Sequence, residues 1–107
     1  PARLLVPGGT RVMDDAGDLN ADGYNESEGC YVVRGTGSVV LEAGKVDRFQ
    51  PAIKFLGPGV NGIPDLLVDG KLVERSAYNL AWVKGDALLL HWLGTVPAGK
   101  RLVISLR

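Results

Sequence analysis

One short segment carries oxygen-bearing side chains at a spacing that suits a metal ion. Residues 18–26 read Asp-Leu-Asn-Ala-Asp-Gly-Tyr-Asn-Glu, so oxygen side chains occupy the first, third, fifth and ninth positions. The sixth position is Gly23, which tolerates the backbone angles of a sharp turn. Calcium binds about six to eight oxygens in a forgiving geometry, and the seventh residue, Tyr24, can add its backbone carbonyl. The segment therefore predicts a calcium site.

This spacing resembles the calcium loops of FG-GAP (integrin β-propeller) repeats, which read Asp-x-Asn-x-Asp-Gly-x-x-Asp. The resemblance covers nine of 107 residues, and this chain has Glu26 where those loops have Asp. It implies four side-chain ligands and one main-chain ligand, Tyr24: Asp18, Asn20, Asp22, Tyr24 and Glu26. Position twelve is Gly29, where an EF-hand has an acid, so an EF-hand is not expected. No repeat follows, so a propeller is not expected either.

The charge around this segment is one-sided. Half of the twelve acidic residues lie here: Asp14, Asp15, Asp18, Asp22, Glu26 and Glu28. No Lys or Arg stands between Arg11 and Arg34, which favours a bound cation over the alternative, a solvated acidic turn. Glu28 or Asp14 could replace Glu26 or complete the shell. We expect the calcium to be structural, because it would order a long connection that has few apolar residues.

The remainder of the chain predicts an all-β fold. Glycines and prolines separate short runs rich in Val, Leu and Ile, and no long window has helical periodicity. The predicted strands are 3–6, 11–13, 30–34, 38–42, 48–56, 65–68, 71–74, 78–83, 87–93 and 101–106. Strands 30–34 and 38–42 are predicted to form a hairpin, Pro51 indicates an edge or a bulge, and Asp69-Gly70 predicts a type I′ turn.

The register of the hairpin formed by 78–83 and 87–93 decides which aromatic side chains share a face. A three-residue loop, 84–86, separates apolar from mixed positions better than a two-residue loop does. It places six large apolar side chains on one face: Tyr78, Leu80, Trp82, Leu88, Leu90 and Trp92. Both tryptophans are then expected to face the core, with His91 on the exposed face.

From Leu67 onwards the chain resembles immunoglobulin-like accessory modules of bacterial extracellular enzymes. The similarity rests on a Val-Asp-Gly-Lys hairpin at 68–71, a strand that begins at Tyr78, Gly-Asp-Ala-Leu at 85–88 and a final strand after Pro-Ala-Gly-Lys at 97–100. It implies a single antiparallel β-sandwich of about seven to nine strands over residues 1–107. Because the chain begins at Pro1 without Met, we expect it to be one module of a larger multidomain protein.

Catalysis is not expected from the residue types present. The chain holds one histidine, His91, and one cysteine, Cys30, which are too few for a zinc centre, and it has no Gly-x-Ser-x-Gly elbow. Twelve basic and twelve acidic residues give no net charge that would favour nucleic acid or an anionic membrane. A glycosidase carboxylate pair stays open as a third, less favoured class.

The combined expectation is a calcium-stabilised, non-catalytic carbohydrate-binding module of a secreted protein that acts on polysaccharide through a covalently linked catalytic domain. Sugar-stacking candidates, none of them strong, are Tyr24, Tyr31, Tyr78 and Trp82. The alternative is an immunoglobulin-like spacer or protein-interaction module without a glycan site. That alternative predicts that all large aromatic side chains are buried.

Overall fold

The computed structural model describes residues 2–6 and 22–107. Within them the protein is all-β, with one 3-10 turn at Arg75–Ala77 and no α-helix. The strands are β1 (Arg3–Leu5), β2 (Tyr24–Asn25), β3 (Cys30–Arg34), β4 (Ser38–Glu42), β5 (Arg48–Phe49), β6 (Ala52–Leu56), β7 (Leu66–Val68), β8 (Lys71–Leu72), β9 (Tyr78–Val83), β10 (Ala87–Trp92), β11 (Thr95–Val96) and β12 (Arg101–Leu106). The predicted fold class is confirmed, although twelve described strands exceed the seven to nine that were predicted.

The described strands form two five-stranded sheets that enclose one core. The first sheet has the order β1-β4-β12-β7-β8 and the second has the order β2-β3-β6-β10-β9, while β5 and β11 form a separate two-stranded sheet. Alternate side chains point inward from both sheets into a single cluster that includes Leu41 and Ile104 from the first and Phe55 and Leu88 from the second. These four are fully buried, so the sandwich is closed by ordinary hydrophobic burial, worth about 1.5–3 kcal/mol for each large side chain.

The predicted hairpin of β3 and β4 is wrong. β3 pairs with β2 and β6, whereas β4 pairs with β1 and β12 in the opposite sheet. The connection between them crosses the sandwich, since the Gly35 N–H donates to Leu56 O in the second sheet and Gly37 O accepts from the Leu106 N–H in the first. β3 buries residues 30–33 and β4 buries residues 39–41. Val33 and Val39 belong to the shared core cluster, so the two strands face each other across the core instead of lying side by side.

One ladder departs from the predicted antiparallel arrangement. β3 and β6 are parallel, with Tyr31 opposite Ile53 and Val33 opposite Phe55. A parallel pair requires a crossover connection. Here β4 supplies it, because the chain passes through the first sheet before it returns to the second.

The strand predicted at 48–56 is divided in two. Gln50 adopts a positive φ of 47°, and its N–H donates to Gly94 O at 2.8 Å. Pro51 follows and has no N–H to give to a ladder. β5 therefore leaves the main sheet to pair with β11, and the expected disturbance at Pro51 is confirmed.

Both hairpin predictions in the C-terminal half are confirmed. Asp69 and Gly70 have φ values of 51° and 79°, as a type I′ turn requires. β9 and β10 pair with Leu88 opposite Trp82 and Trp92 opposite Tyr78, which is the register of the three-residue loop. The strand predicted at 11–13 lies outside the described residues.

Candidate functional site

The acidic segment is described only in its second half. Asp18 and Asn20, two of the predicted calcium ligands, lie outside the described residues, as does Asp14. Asp22 is half-buried, and its Oδ1 accepts a hydrogen bond from the Tyr24 N–H at 3.0 Å. A carboxylate has two oxygens and about four lone-pair sites, so this turn is compatible with metal ligation by Asp22.

Gly23 has the backbone angle that its place in the segment predicts. Its φ is +92°, a value that side-chain-bearing residues rarely adopt. Its carbonyl accepts from the Val32 N–H at 2.9 Å, and the neighbouring Asp22 carbonyl accepts from the Leu4 N–H at 2.8 Å. The turn is thereby fastened to β1 on one side and to β3 on the other.

The two described glutamates of the segment differ in their surroundings. Glu26 is exposed at the turn between β2 and β3. Glu28 forms an ion pair with Lys54 at 2.6 Å, and its backbone N–H donates to the Asn25 side chain. The Glu28 Oε1 atom is thus already engaged by a lysine. Within residues 2–6 and 22–107, no three His, Cys, Asp or Glu side chains group closely enough to hold a metal ion, and the calcium site stays a prediction.

The four sugar-stacking candidates occupy three different environments. Tyr78 is buried in the core, so its ring offers no face to a ligand. Trp82 lies on the core-facing side of edge strand β9 yet remains 37% exposed, and its Nε1 donates to Gly62 O at 2.6 Å. Both tryptophans thus lie on the face that the sequence predicts, but only Trp92 is buried, because Trp82 sits on an edge strand and is only partly covered. Tyr24 and Tyr31 meet edge to face, with ring centroids 5.1 Å apart.

Tyr24 and Tyr31 line a depression of about 490 Å³, which we call the Phe49 pocket. Its wall is formed by β2, β3 and the turn between them, by the end of β10, and by the divided strand with the residue before it: Tyr24, Gly29, Tyr31, Asp47, Arg48, Phe49, Gln50, Pro51, Ala52 and His91. The Phe49 side chain is 70% exposed, the highest value among the large apolar residues described. A phenyl ring left in water at the rim of a polar pocket is a ready surface for an apolar ligand face.

The break in the strand at Gln50 turns Phe49 and Gln50 toward solvent. A non-glycine residue in the left-handed region costs about 1–2 kcal/mol, and the residue before a proline ordinarily avoids compact conformations. Gln50 is held there by its hydrogen bond to Gly94, and both Phe49 and Gln50 point into solvent. Backbone strain of this kind is concentrated at ligand-binding sites.

Charged groups around the pocket are fixed by the backbone. Arg48 Nε donates to Ala43 O at 2.8 Å, and Asp47 Oδ1 accepts from the Ala98 N–H at 2.7 Å. Burial raises the pKa of Tyr31 above its ordinary value, with Arg48 acting in the opposite direction and Asp22 and Tyr24 adding to the rise. The Tyr31 hydroxyl is therefore neutral at physiological pH and can donate or accept a hydrogen bond.

Sequence reasoning missed Phe49, Gln50 and Arg48 as site residues and placed His91 only as an exposed residue. His91 is half-buried and contributes to the pocket wall. The available signal was Phe-Gln-Pro inside an otherwise regular strand, because a proline that breaks a strand also turns its neighbours outward.

No described helix is long and apolar enough to cross a membrane. No protein-family model matches the chain, and neither a curated protein nor a solved structure matches it.

Proposed function

We propose that the protein is a non-catalytic carbohydrate-binding module, stabilised by calcium, that belongs to a secreted polysaccharide-active protein. The observation that supports it best is the Phe49 pocket. A sugar ring has an apolar face of C–H groups and an edge of hydroxyls. Phe49 offers an exposed ring for the face, while Gln50 and His91 offer polar groups for the edge.

The acidic segment and the pocket share a wall, which links the two parts of the proposal. Tyr24 and Gly29 belong to the segment that follows Asp22, and both line the pocket. A calcium ion bound by residues 18–26 would hold β2 in place, and with it the Tyr24 ring. Calcium then acts on sugar binding through order and not through direct contact.

The alternative, a spacer or protein-interaction module, is favoured by the burial of Tyr31, Tyr78 and Trp92. It also predicts that the other large aromatic side chains are buried. Phe49 and Trp82 are exposed instead, which favours a binding module. A hydrolase would need carboxylates that converge in a cleft; the only carboxylate among the described residues of the Phe49 pocket is that of Asp47, which caps a backbone N–H.

A glycan array followed by calorimetry on the best hit, with and without calcium, tests this proposal. Phe49→Ala is expected to lower the affinity about tenfold or more while the melting temperature stays within a few degrees, because the lost ring is exposed. Leu72→Ala is the matched control, since Leu72 is 69% exposed and lies on β8 in the first sheet, outside the Phe49 pocket.

An array with no hit at any calcium concentration would favour the spacer. Equal affinity of the Phe49→Ala and Leu72→Ala proteins for a hit would place the glycan elsewhere on the surface. Turnover of a bound polysaccharide would show a hydrolase.

A further inference from the structure

A second depression, of about 700 Å³, lies at the ends of three strands of the first sheet. We call it the basic depression. It is lined by residues from β1, β4 and β12 and from two turns: Arg3, Glu42, Gly44, Lys45, Gly99, Lys100 and Arg101. These residues are far apart in the sequence, so only the folded chain brings their charges together.

Strand register builds the floor of this depression. Glu42 lies on β4, between β1 and β12, and stands opposite Arg3 on one side and opposite Arg101 on the other. The two turns are joined above it, since the Gly99 N–H donates to Gly44 O at 2.7 Å. That bond holds the turn with Lys45 against the turn with Lys100. The backbone positions of the four basic residues are thus set by strand register and by this contact between the turns.

The charge of the basic depression is unbalanced. Its described residues carry four cationic side chains and one carboxylate, an excess of three positive charges in a chain whose formal net charge is zero. Arg3 Nε and Glu42 Oε1 form an ion pair at 2.6 Å, which neutralises one cation. Among the described residues, no ion pair includes Lys45, Lys100 or Arg101. A concave surface lined by one sign of charge concentrates ligands of the opposite sign.

The basic depression adjoins the Phe49 pocket along the chain. The segment from Gly44 to Gln50 contributes to both, with Gly44 and Lys45 in the first and residues 47–50 in the second. Two contacts hold that segment in place, from Asp47 to the Ala98 N–H and from Arg48 to Ala43 O. An extended polymer that crosses this segment would touch both surfaces.

We propose that the polysaccharide bound by this protein is acidic, with its carboxylate groups held in the basic depression while a neighbouring sugar ring stacks on Phe49. Uronic acid residues supply such carboxylates, and sulfate esters share the chemistry. This inference rests on the proposed function and adds the substrate class. Lys45 and Lys100 supply the main attraction, because both are exposed and lie outside every described ion pair.

The test compares three polymers, polygalacturonate, dextran sulfate and neutral dextran, by calorimetry or affinity electrophoresis. We expect at least one of the two acidic polymers, polygalacturonate or dextran sulfate, to bind more tightly than neutral dextran. Binding should weaken as NaCl rises from about 0.1 to 1 M, which shortens the Debye length from about 10 to 3 Å. Lys45→Glu with Lys100→Glu should lower that affinity about tenfold.

The matched control is Lys71→Glu with Lys84→Glu, which changes the net charge equally at exposed positions outside both surfaces. Equal losses in the two double variants would overturn the inference, as would a dextran affinity equal to that of the acidic polymers, and neither result would touch the proposed function. Binding of duplex DNA as tightly as polygalacturonate would show a general polyanion surface and also overturn it. If no glycan binds here or on the array, the proposed function fails and this inference with it.

Discussion

Gly23 lies against Leu4 so closely that a β-carbon at position 23 would stand 2.6 Å from Leu4 Cβ. That carbon would also lie 3.3 Å from the Leu4 backbone nitrogen. The glycine of the acidic segment is therefore needed twice, for its φ of +92° and for the space beside β1. The turn at Gly23, with which the described half of the predicted calcium loop begins, therefore packs directly against strand β1 of the sandwich.

Gly23→Ala is expected to lower the free energy of unfolding by about 3 kcal/mol, the sum of about 1 kcal/mol of backbone strain and about 2 kcal/mol of steric displacement. Gly35→Ala is the matched control, because Gly35 also has a positive φ, of 78°, but a β-carbon there meets nothing within 4 Å. Gly35→Ala should therefore lower the free energy of unfolding only by the cost of the backbone strain. Urea denaturation of both proteins measures the difference, and equal losses would show that Leu4 moves aside at no cost.

Chelation is expected to lower the melting temperature. If calcium is present at about 100 times its dissociation constant, it contributes about 2.7 kcal/mol, or roughly 10 °C for a domain of this size. Scanning calorimetry in EDTA and in excess calcium measures the shift. A melting temperature that is the same in both buffers at low ionic strength would contradict a structural calcium ion.

Asp22→Asn separates the metal from the turn. The asparagine amide oxygen can still accept the Tyr24 N–H, as Asp22 Oδ1 does, but the negative charge is lost. We therefore expect the calcium-dependent part of the stability, the difference between excess calcium and EDTA, to fall sharply. Asp86→Asn, at an exposed hairpin loop, is the control and should keep the full calcium effect. Equal small effects of the two substitutions would argue against ligation by Asp22.

Tyr31 should make the protein less stable in alkali. Its pKa is raised above the ordinary value of 10.0 by burial, so the unfolded chain releases this proton at a lower pH than the folded chain does. The contribution of Tyr31 to the free energy of unfolding is fully present below pH 10 and is lost as the pH rises through the folded-state pKa of its hydroxyl. Urea denaturation between about pH 8 and 11 should show that the free energy of unfolding falls less steeply with pH in the Tyr31→Phe protein than in the unsubstituted protein. Parallel declines in the two proteins would mean that Tyr31 ionises equally in both states.

Tyr78→Phe is expected to leave stability unchanged or raise it by about 1 kcal/mol. The Tyr78 hydroxyl is buried and has no hydrogen-bond partner among the described residues, and a group of that kind is destabilising. The substitution keeps the ring and its contact with Arg75, whose guanidinium lies 5.7 Å from the ring centroid. A loss of more than about 1 kcal/mol in chemical denaturation would reveal a partner for this hydroxyl.

Local conformation could be predicted because it depends on neighbouring residues. Asp69-Gly70 specifies its turn through two positive φ angles, and the register of β9 and β10 follows from which loop length segregates apolar side chains. The positive φ of Gly23 was likewise expected from its place in the acidic segment. The assignment of Phe49 to a pocket was not expected, because it depends on how far the Gln50 break moves β5 from its sheet.

The sequence by itself determined the all-β class, the C-terminal hairpins and the special backbone at Gly23, since each is decided by angles and alternation within a few residues. The tertiary structure decided which sheet each strand joins. It separated β3 from β4, made β3 parallel to β6, and placed Arg3, Lys45 and Arg101 in one depression. The physical reason is that burial of two apolar faces against each other is a property of the whole chain, and the same alternation is satisfied by several pairings until the complete core selects one.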